Sequence, residues 1–366
     1  MKSRRRLLLA GAATALGAGC SGPRADVAPR PRVVDVAGAV PFEWPTAAPE
    51  SQGLSPTALA EVLRDGAELP GLRSLLVARH GVLVGERYYA GASATDLLAI
   101  NSVTKSVSSM LVGLALNKGA ITGLNEPVAR LIPEAAAQAS GSALASVTLE
   151  QILGGQTGQV FALTRGRELV TAPDLAQFVL GLPAEAAVPP GWTYNDAAVA
   201  LIAPILARAQ GLDLAALAAR DLFAPLGIER FNWVRDRQGQ ATAFGGLALR
   251  TRDLLKLACL MLDGGQWRGA AVLPAAWVAE STQTRGPVSW RVPPVDNIGY
   301  GRLWFTGTLH GRRVVWGWGY GGQFALWAPE LRLTVATAAT SPAPVALRAQ
   351  TDAVMALVGR VVQAAV

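Results

Sequence analysis

Ser102-Val103-Thr104-Lys105 opens an apolar helical run that continues to Leu116. On a helix, residues three apart lie about one turn apart on a shared face, so the Lys105 amine can reach the Ser102 hydroxyl. A serine is a poor nucleophile at neutral pH, and a lysine whose charged form is disfavoured by desolvation can take its proton. The head of a helix also favours negative charge, which suits an oxyanion with the Ser102 N–H as one donor. S-x-x-K is a loose pattern that fits a capped helix with a solvated lysine as well, so its meaning depends on the rest of the chain.

Upstream, Ser55-Pro56 combines an N-cap with proline at the first helical position and starts a helix that runs to about Glu68. The period then changes to that of strands. Leu72–Arg79 and Val82–Tyr89 are β-rich and joined at His80-Gly81, a hairpin turn. Downstream, much of 120–235 is helical in pattern, as in Ala197–Ala209 and Leu212–Leu226. Strands return at Tyr300–Thr308, Arg313–Trp318, Gln323–Trp327 and Leu331–Thr337, with a turn at His310-Gly311, before a last helix over about Pro344–Val362. Strands at both ends imply a three-layer α+β fold: an antiparallel sheet flanked by N- and C-terminal helices, with an inserted all-helical region at about 107–235. The cleft between these parts is the natural ligand site.

Two further elements fall in that cleft. Pro190-Gly191-Trp192-Thr193-Tyr194-Asn195-Asp196 is a turn leading into an apolar helix, where Tyr194 can share or relay the serine's proton. Packing of the ring, with Asn195 or Asp196 capping the helix, is the structural alternative. Trp318-Gly319-Tyr320-Gly321-Gly322-Gln323 lies on a strand whose glycines let a substrate approach the backbone, and a second oxyanion donor is expected there. A glycine-rich bulge would give the same pattern.

The three elements in this order resemble the serine hydrolases related to class C β-lactamases, DD-peptidases and esterases, and especially the 6-aminohexanoate-dimer-hydrolase-like branch. The resemblance runs from about Phe42 to Thr340. It also includes Glu43-Trp44-Pro45, Gln52-Gly53-Leu54, Leu222-Phe223 with Pro225-Leu226-Gly227, and Gly245-Gly246-Leu247 with Thr251-Arg252-Asp253-Leu254. It implies an acyl-enzyme on Ser102, proton exchange between Lys105 and Tyr194, and an oxyanion hole from the N–H groups of Ser102 and Gln323. Asp196, Tyr320, Gly321 and Gly322 are the expected substrate contacts, while Asp253 is left to a helix start.

The chain departs from the family in three places. Tyr320-Gly321-Gly322 stands where lactamases and peptidases usually carry Lys-Thr-Gly, which removes the cation for a substrate carboxylate. The family's Tyr-x-Asn reads Tyr194-Asn195-Asp196 here, and Leu153-Gly154-Gly155-Gln156-Thr157-Gly158 replaces a Thr/Ser-rich loop. The expected substrate is therefore a small ester or amide. A β-lactamase or DD-peptidase type of activity and a catalytically silent binding or sensor protein of the same fold are the alternatives.

Of 366 residues, 51% are hydrophobic and 16% charged, enough apolar surface for a large core. The net charge is +7, of which +6 falls before residue 33, so no basic folded face for nucleic acid is expected. Lys2 and Arg4–Arg6 precede the apolar run Leu7–Gly19, which reads as an export signal over 1–19 and is too short to span a bilayer. Ser3-Arg4-Arg5-Arg6-Leu7-Leu8 resembles a twin-arginine signal. Cys20 after Leu16-Gly17-Ala18-Gly19 resembles a lipoprotein cleavage site, and 20–40 reads as a tether that holds the 41–366 domain off a membrane. The expected location is exported, periplasmic or membrane-anchored. Cys259, in an apolar helix, reads as a core thiol. Neither a metal nor a cofactor is expected: His80 and His310, the only histidines, fall in turns, and G-x-S-x-G is absent.

Overall fold

The computed structural model describes residues 32–139, 141–161, 165–183, 191–340 and 347–365. The leader, Cys20 and the tether up to residue 31 lie outside the described residues, as do Pro190 and Pro344. In chain order the strands are β1 (Val33–Asp35), β2 (Leu72–Arg79), β3 (Val82–Tyr88), β4 (Leu98–Ala99), β5 (Arg230–Trp233), β6 (Leu247–Leu249), β7 (Gln266–Trp267), β8 (Ala270–Ala271), β9 (Gly286–Pro287), β10 (Val295–Tyr300), β11 (Phe305–Leu309), β12 (Arg312–Gly319), β13 (Gln323–Ala328) and β14 (Leu333–Ala339). The large sheet is antiparallel throughout, in the order β3-β2-β14-β13-β12-β11-β10-β9. The first and last parts of the chain thus meet inside one sheet, where β14 pairs with β2 through Val335 opposite Val77.

Two residues with positive φ make each of the tight hairpins: His80 (52°) with Gly81 (79°), and His310 (49°) with Gly311 (76°). That backbone matches the right-handed twist of the strands it joins. The Pro56–Asp65 helix starts as its sequence requires, with Ser55 Oγ accepting from Ala58 N at 3.2 Å. It packs with the C-terminal helix Leu347–Ala364 on one face of the sheet, where Leu59 fills the space left by Gly85. The opposite face carries the Thr251–Leu262 helix, fixed by Ser74 Oγ to Thr251 Oγ1 (2.6 Å), and the Val103–Asn117 helix. These are the three layers expected.

Several boundaries differ from the sequence reading. The fold starts before Pro41: Val33–Asp35, read as tether, pairs with β5 in a small four-stranded sheet ordered β1-β5-β6-β4. The strand expected over Tyr300–Thr308 is two strands, because Gly301–Trp304 turns aside to meet the Val103–Asn117 helix. The helix expected over Ala197–Ala209 is divided into Asp196–Ala200 and Ile202–Gln210; Pro204 lacks an N–H and its ring crowds the carbonyl four residues back. Cys259 is a free, buried thiol 3.3 Å from Thr334 Oγ1, and burial pushes its pKa up to about 12.

Candidate active site

The chain leaves β4 and turns into the Val103–Asn117 helix at Asn101, whose φ of 47° is a left-handed conformation that asparagine tolerates better than most residues. Asn101 is held at two points, by the hairpin after β12 and by the first turn of its own helix. Its Nδ2 donates to the Tyr320 carbonyl (2.7 Å), and its own carbonyl accepts from Thr104 Oγ1 (2.6 Å). Ser102 follows at the head of the helix. The helix itself is buried, yet besides Thr104 it carries three serine hydroxyls whose partners explain their presence. Ser106 and Ser109 donate to the carbonyls of Leu303 and Arg302 at 2.8 and 2.7 Å, and Ser108 donates to Ala243 O at 2.7 Å. Each bond ties a loop of the site to the helix.

One turn on, Lys105 has a side chain only 3% exposed. Its Nζ lies 3.0 Å from Ser102 Oγ, 2.6 Å from the Phe244 carbonyl and 2.7 Å from Asp196 Oδ1. Burial pushes the pKa of Lys105 below the usual lysine range, while the Asp196 carboxylate pulls it back up. The Lys105 amine also sits 4.8 Å from the centre of the Tyr194 ring. Burial, reinforced by Asp196, holds the Tyr194 phenol well above its ordinary pKa, and a hydrogen bond with Ser102 opposes that shift. Tyr194 is therefore neutral at rest. Ser102, Lys105 and Tyr194, expected as a set from the sequence, are brought together.

Asn195 and Asp196 divide the work of the third motif position differently from the sequence reading. Asn195 caps the Asp196–Ala200 helix, accepting from Ala198 N at 2.9 Å, and its Nδ2 donates to Gln159 O at 3.0 Å. Asp196, expected to touch substrate, is 7% exposed and directs its carboxylate at Lys105.

The glycine-rich strand end approaches the helix as expected. A Cβ on Gly317 would come within 2.9 Å of Ser106 Oγ and Val103 Cγ1, and one on Gly319 within 2.5 Å of the Ile100 carbonyl. Gln323 was expected to supply the second oxyanion N–H. It is fully buried, opens β13 opposite Gly319, and sends its side-chain amide to the Ala339 carbonyl. The hairpin ends β12 at Gly319, so the backbone that reaches Asn101 is that of Tyr320, whose side chain is half exposed. Gly321 and Gly322, also expected substrate contacts, face the C-terminal helix: added Cβ atoms would meet Leu347 and Val354.

An aromatic wall completes the site. Trp290 stacks on Tyr194 with ring centres 4.6 Å apart and meets Trp318 edge-on at 5.4 Å; Trp192 lies edge-on to Trp290 at 5.2 Å. Gly155 makes room for Trp192, since a Cβ there would lie 2.7 Å from the indole. A small cavity behind Tyr194 is lined by Lys105, Thr157, Trp192, Asn195 and Tyr300. Phe244, Asn101 and Trp290 were not singled out from sequence. Two of them act through backbone or turn geometry, and Trp290 stands in an irregular segment with no periodicity to mark it.

The family model described as Beta-lactamase matches residues 59–360. The chain belongs to the β-lactamase family. Among sequence relatives of this β-lactamase-family protein, the 6-aminohexanoate-dimer hydrolase of Paenarthrobacter ureafaciens is 28% identical over 223 residues, covering 56% of this chain and 55% of that relative. The chain thus matches about half the length of that protein. Among solved structures, a Bacillus anthracis protein assigned as a 6-aminohexanoate-dimer hydrolase superposes with a TM-score of 0.71 at 17% identity, covering 91% of each chain. A D-stereospecific amidohydrolase from Streptomyces gives 0.60 at 17% identity, covering 78% of this chain and 94% of that one. At these identities the structures establish the fold, a β-lactamase/transpeptidase-like α+β arrangement.

Proposed function

We propose that this protein is a serine hydrolase that cleaves a small ester or amide through an acyl-enzyme on Ser102. The observation that carries the reading is the buried Lys105 amine 3.0 Å from the Ser102 hydroxyl. Neutral Lys105 takes the hydroxyl proton as Ser102 Oγ bonds to the substrate carbonyl carbon. The oxygen of that carbonyl becomes an oxyanion held by the Ser102 N–H at the helix head, and the second donor moves from the expected Gln323 to the Tyr320 N–H. The proton passes from Lys105, through or alongside neutral Tyr194, to the leaving oxygen or nitrogen. Water then cleaves the acyl ester by the same route in reverse.

The aromatic wall of Trp290, Trp318 and Trp192 favours an apolar acyl or leaving group next to Tyr194. Tyr320-Gly321-Gly322 in place of Lys-Thr-Gly argues for a substrate without the carboxylate of a β-lactam. The 6-aminohexanoate dimer in the name of the Paenarthrobacter relative supports an amide substrate as readily as an ester. The basic and apolar leader with Cys20 supports an exported, lipid-anchored setting.

Intact-protein mass spectrometry after exposure to a fluorophosphonate, a p-nitrophenyl ester and a penicillin tests this, with Ser102→Ala beside the wild type. A Ser102-dependent adduct with nitrophenol release supports the proposal. A lasting penicilloyl mass without ester turnover moves the protein to the penicillin-binding class, and absence of any adduct moves it to the silent binders.

A further inference from the structure

The carboxylate beside Lys105 has no part in the mechanism above, and the geometry gives it one. Lys105 Nζ has three polar neighbours: Ser102 Oγ, the Phe244 carbonyl and Asp196 Oδ1. A carbonyl and a carboxylate accept hydrogen bonds and cannot donate. When the amine is neutral it has two N–H groups and one lone pair. If one N–H is used on Phe244 O and the amine is held on its other side against Asp196 Oδ1, 2.7 Å away, the lone pair is left facing the Ser102 hydroxyl. An amine with only one of these acceptors could rotate its lone pair away from the serine.

Resting on the reading of Ser102 and Lys105 above, we propose that Asp196 is the positioning residue of the Ser102–Lys105 pair: it aims the amine at the hydroxyl and stabilises the ammonium formed when the amine takes the proton. In that step the Ser102 O–H bond breaks, the Oγ–C bond to substrate forms, the proton becomes the third on Nζ, and the carbonyl electron pair moves to the oxyanion. The new ammonium arises 2.7 Å from a carboxylate already in place, so no isolated positive charge is created in a buried site. The buried carboxylate of a serine–histidine–aspartate triad does the same for its imidazolium. This replaces the expectation that Asp196 contacts substrate.

The titratable groups facing the pair are few. Tyr194 faces it from the turn before the Asp196–Ala200 helix, and Tyr300, from β10, feels both Tyr194 and Asp196. Both phenols are held well above their ordinary pKa by burial and are neutral through the working range. Phe244 presents its carbonyl and its ring to the amine, and neither titrates. The acid limb of the pH–rate profile therefore belongs to Lys105, whose amine burial favours in the neutral form. Asp196 raises the proton affinity of Lys105, so removing its charge makes the amine a weaker base that is free of its proton at lower pH.

The test is kcat/KM for a p-nitrophenyl ester as a function of pH in wild type, Asp196→Asn and Asp196→Ala, with thermal melts on each and Ser102→Ala as reference. Asp196→Asn is expected to lower the plateau of kcat/KM about 10²-fold, mainly through kcat, and to move the acid limb to lower pH or abolish it. Asp196→Ala, which also removes the acceptor, is expected to show the same limb with a lower plateau; either folded variant suffices. A limb that stays in place or rises, or a loss confined to KM, overturns the proposal and returns Asp196 to substrate contact. Should Ser102→Ala itself turn over the ester, the underlying hydrolase reading fails, and the two failures are told apart.

Discussion

Replacing Lys105 by Met isolates how much the buried pair contributes to the fold. Methionine keeps most of the methylene packing, so at a pH below the acid limb, where the amine carries its proton, the change removes chiefly the ammonium. The side chains of Lys105 and Asp196 are 3% and 10% exposed, and water cannot readily take the cation's place. Removing one partner of a buried pair costs about 3–5 kcal/mol. Part of that cost is the Phe244 carbonyl, which loses its donor at 2.6 Å and carries about 1–3 kcal/mol as an unmade hydrogen bond. The remainder belongs to a carboxylate left without its cation. Lys105→Met/Asp196→Leu removes that charge as well, and replacing both members of a buried pair with apolar groups is often neutral or stabilising. The double variant should recover the greater part of the loss and stay inactive, leaving only the carbonyl's share. Urea unfolding followed by fluorescence of the ten tryptophans gives all four corners of the cycle. Losses that simply add in the double variant would show that the two groups are not coupled, and the reasoning from a water-excluded pair would be refuted.

Other consequences are more local. Gly319→Ala places a Cβ 2.5 Å from the Ile100 carbonyl and 2.7 Å from Gln323 Cβ, so a loss of about 1–3 kcal/mol in unfolding free energy is expected, with a fall in the rate of fluorophosphonate labelling as the turn into Ser102 shifts. Trp290→Ala removes the ring stacked on Tyr194; that contact is worth about 0.5–1.5 kcal/mol, and kcat/KM should fall further for a bulky aromatic ester than for an acetyl ester. Asn195→Ala deletes a helix cap and the tie to Gln159, for about 1 kcal/mol by urea unfolding. In the wild type, kcat/KM for a neutral ester should rise with pH through a limb below the ordinary lysine range, because burial favours the neutral amine that accepts the proton.

Much of this was legible because the signals are local. A serine and a lysine three apart on an apolar run fix each other's distance through helix geometry alone, and the observed 3.0 Å follows from that spacing. The two His-Gly hairpins were legible for a similar reason: each pair accepts the positive φ values that a two-residue turn demands. What escaped was set by partners distant in sequence. The strands of the small sheet are two to four residues long, too short to show a period, and Val33–Asp35 becomes a strand only because Arg230–Trp233 lies beside it. Asp196 was legible as a site residue, but as a substrate contact or a helix cap rather than as the neighbour of Lys105. Its role depends on Lys105 arriving from another helix, which no spacing within Tyr194-Asn195-Asp196 records. Gln323 was expected as an oxyanion donor, yet it opens β13 opposite Gly319, and sequence cannot count which backbone amides remain in the ladder.

The position of the nucleophile helix explains why stability and chemistry are joined in this molecule. The Val103–Asn117 helix meets β12 and β13 on one side and the Ile202–Gln210 helix of the inserted region on another. Its serines fasten the loops at Ala243, Arg302 and Leu303, while Lys105 is gripped by Phe244 and by Asp196 from the insertion. In the proposed mechanism Ser102 draws on the sheet for Tyr320, which Asn101 holds, and on the insertion for Tyr194. A substitution that loosens the insertion, even one far from Tyr194, therefore acts on the base before it acts on the nucleophile. The amine's direction is set across that boundary, whereas the serine's is set by Asn101 and the helix head.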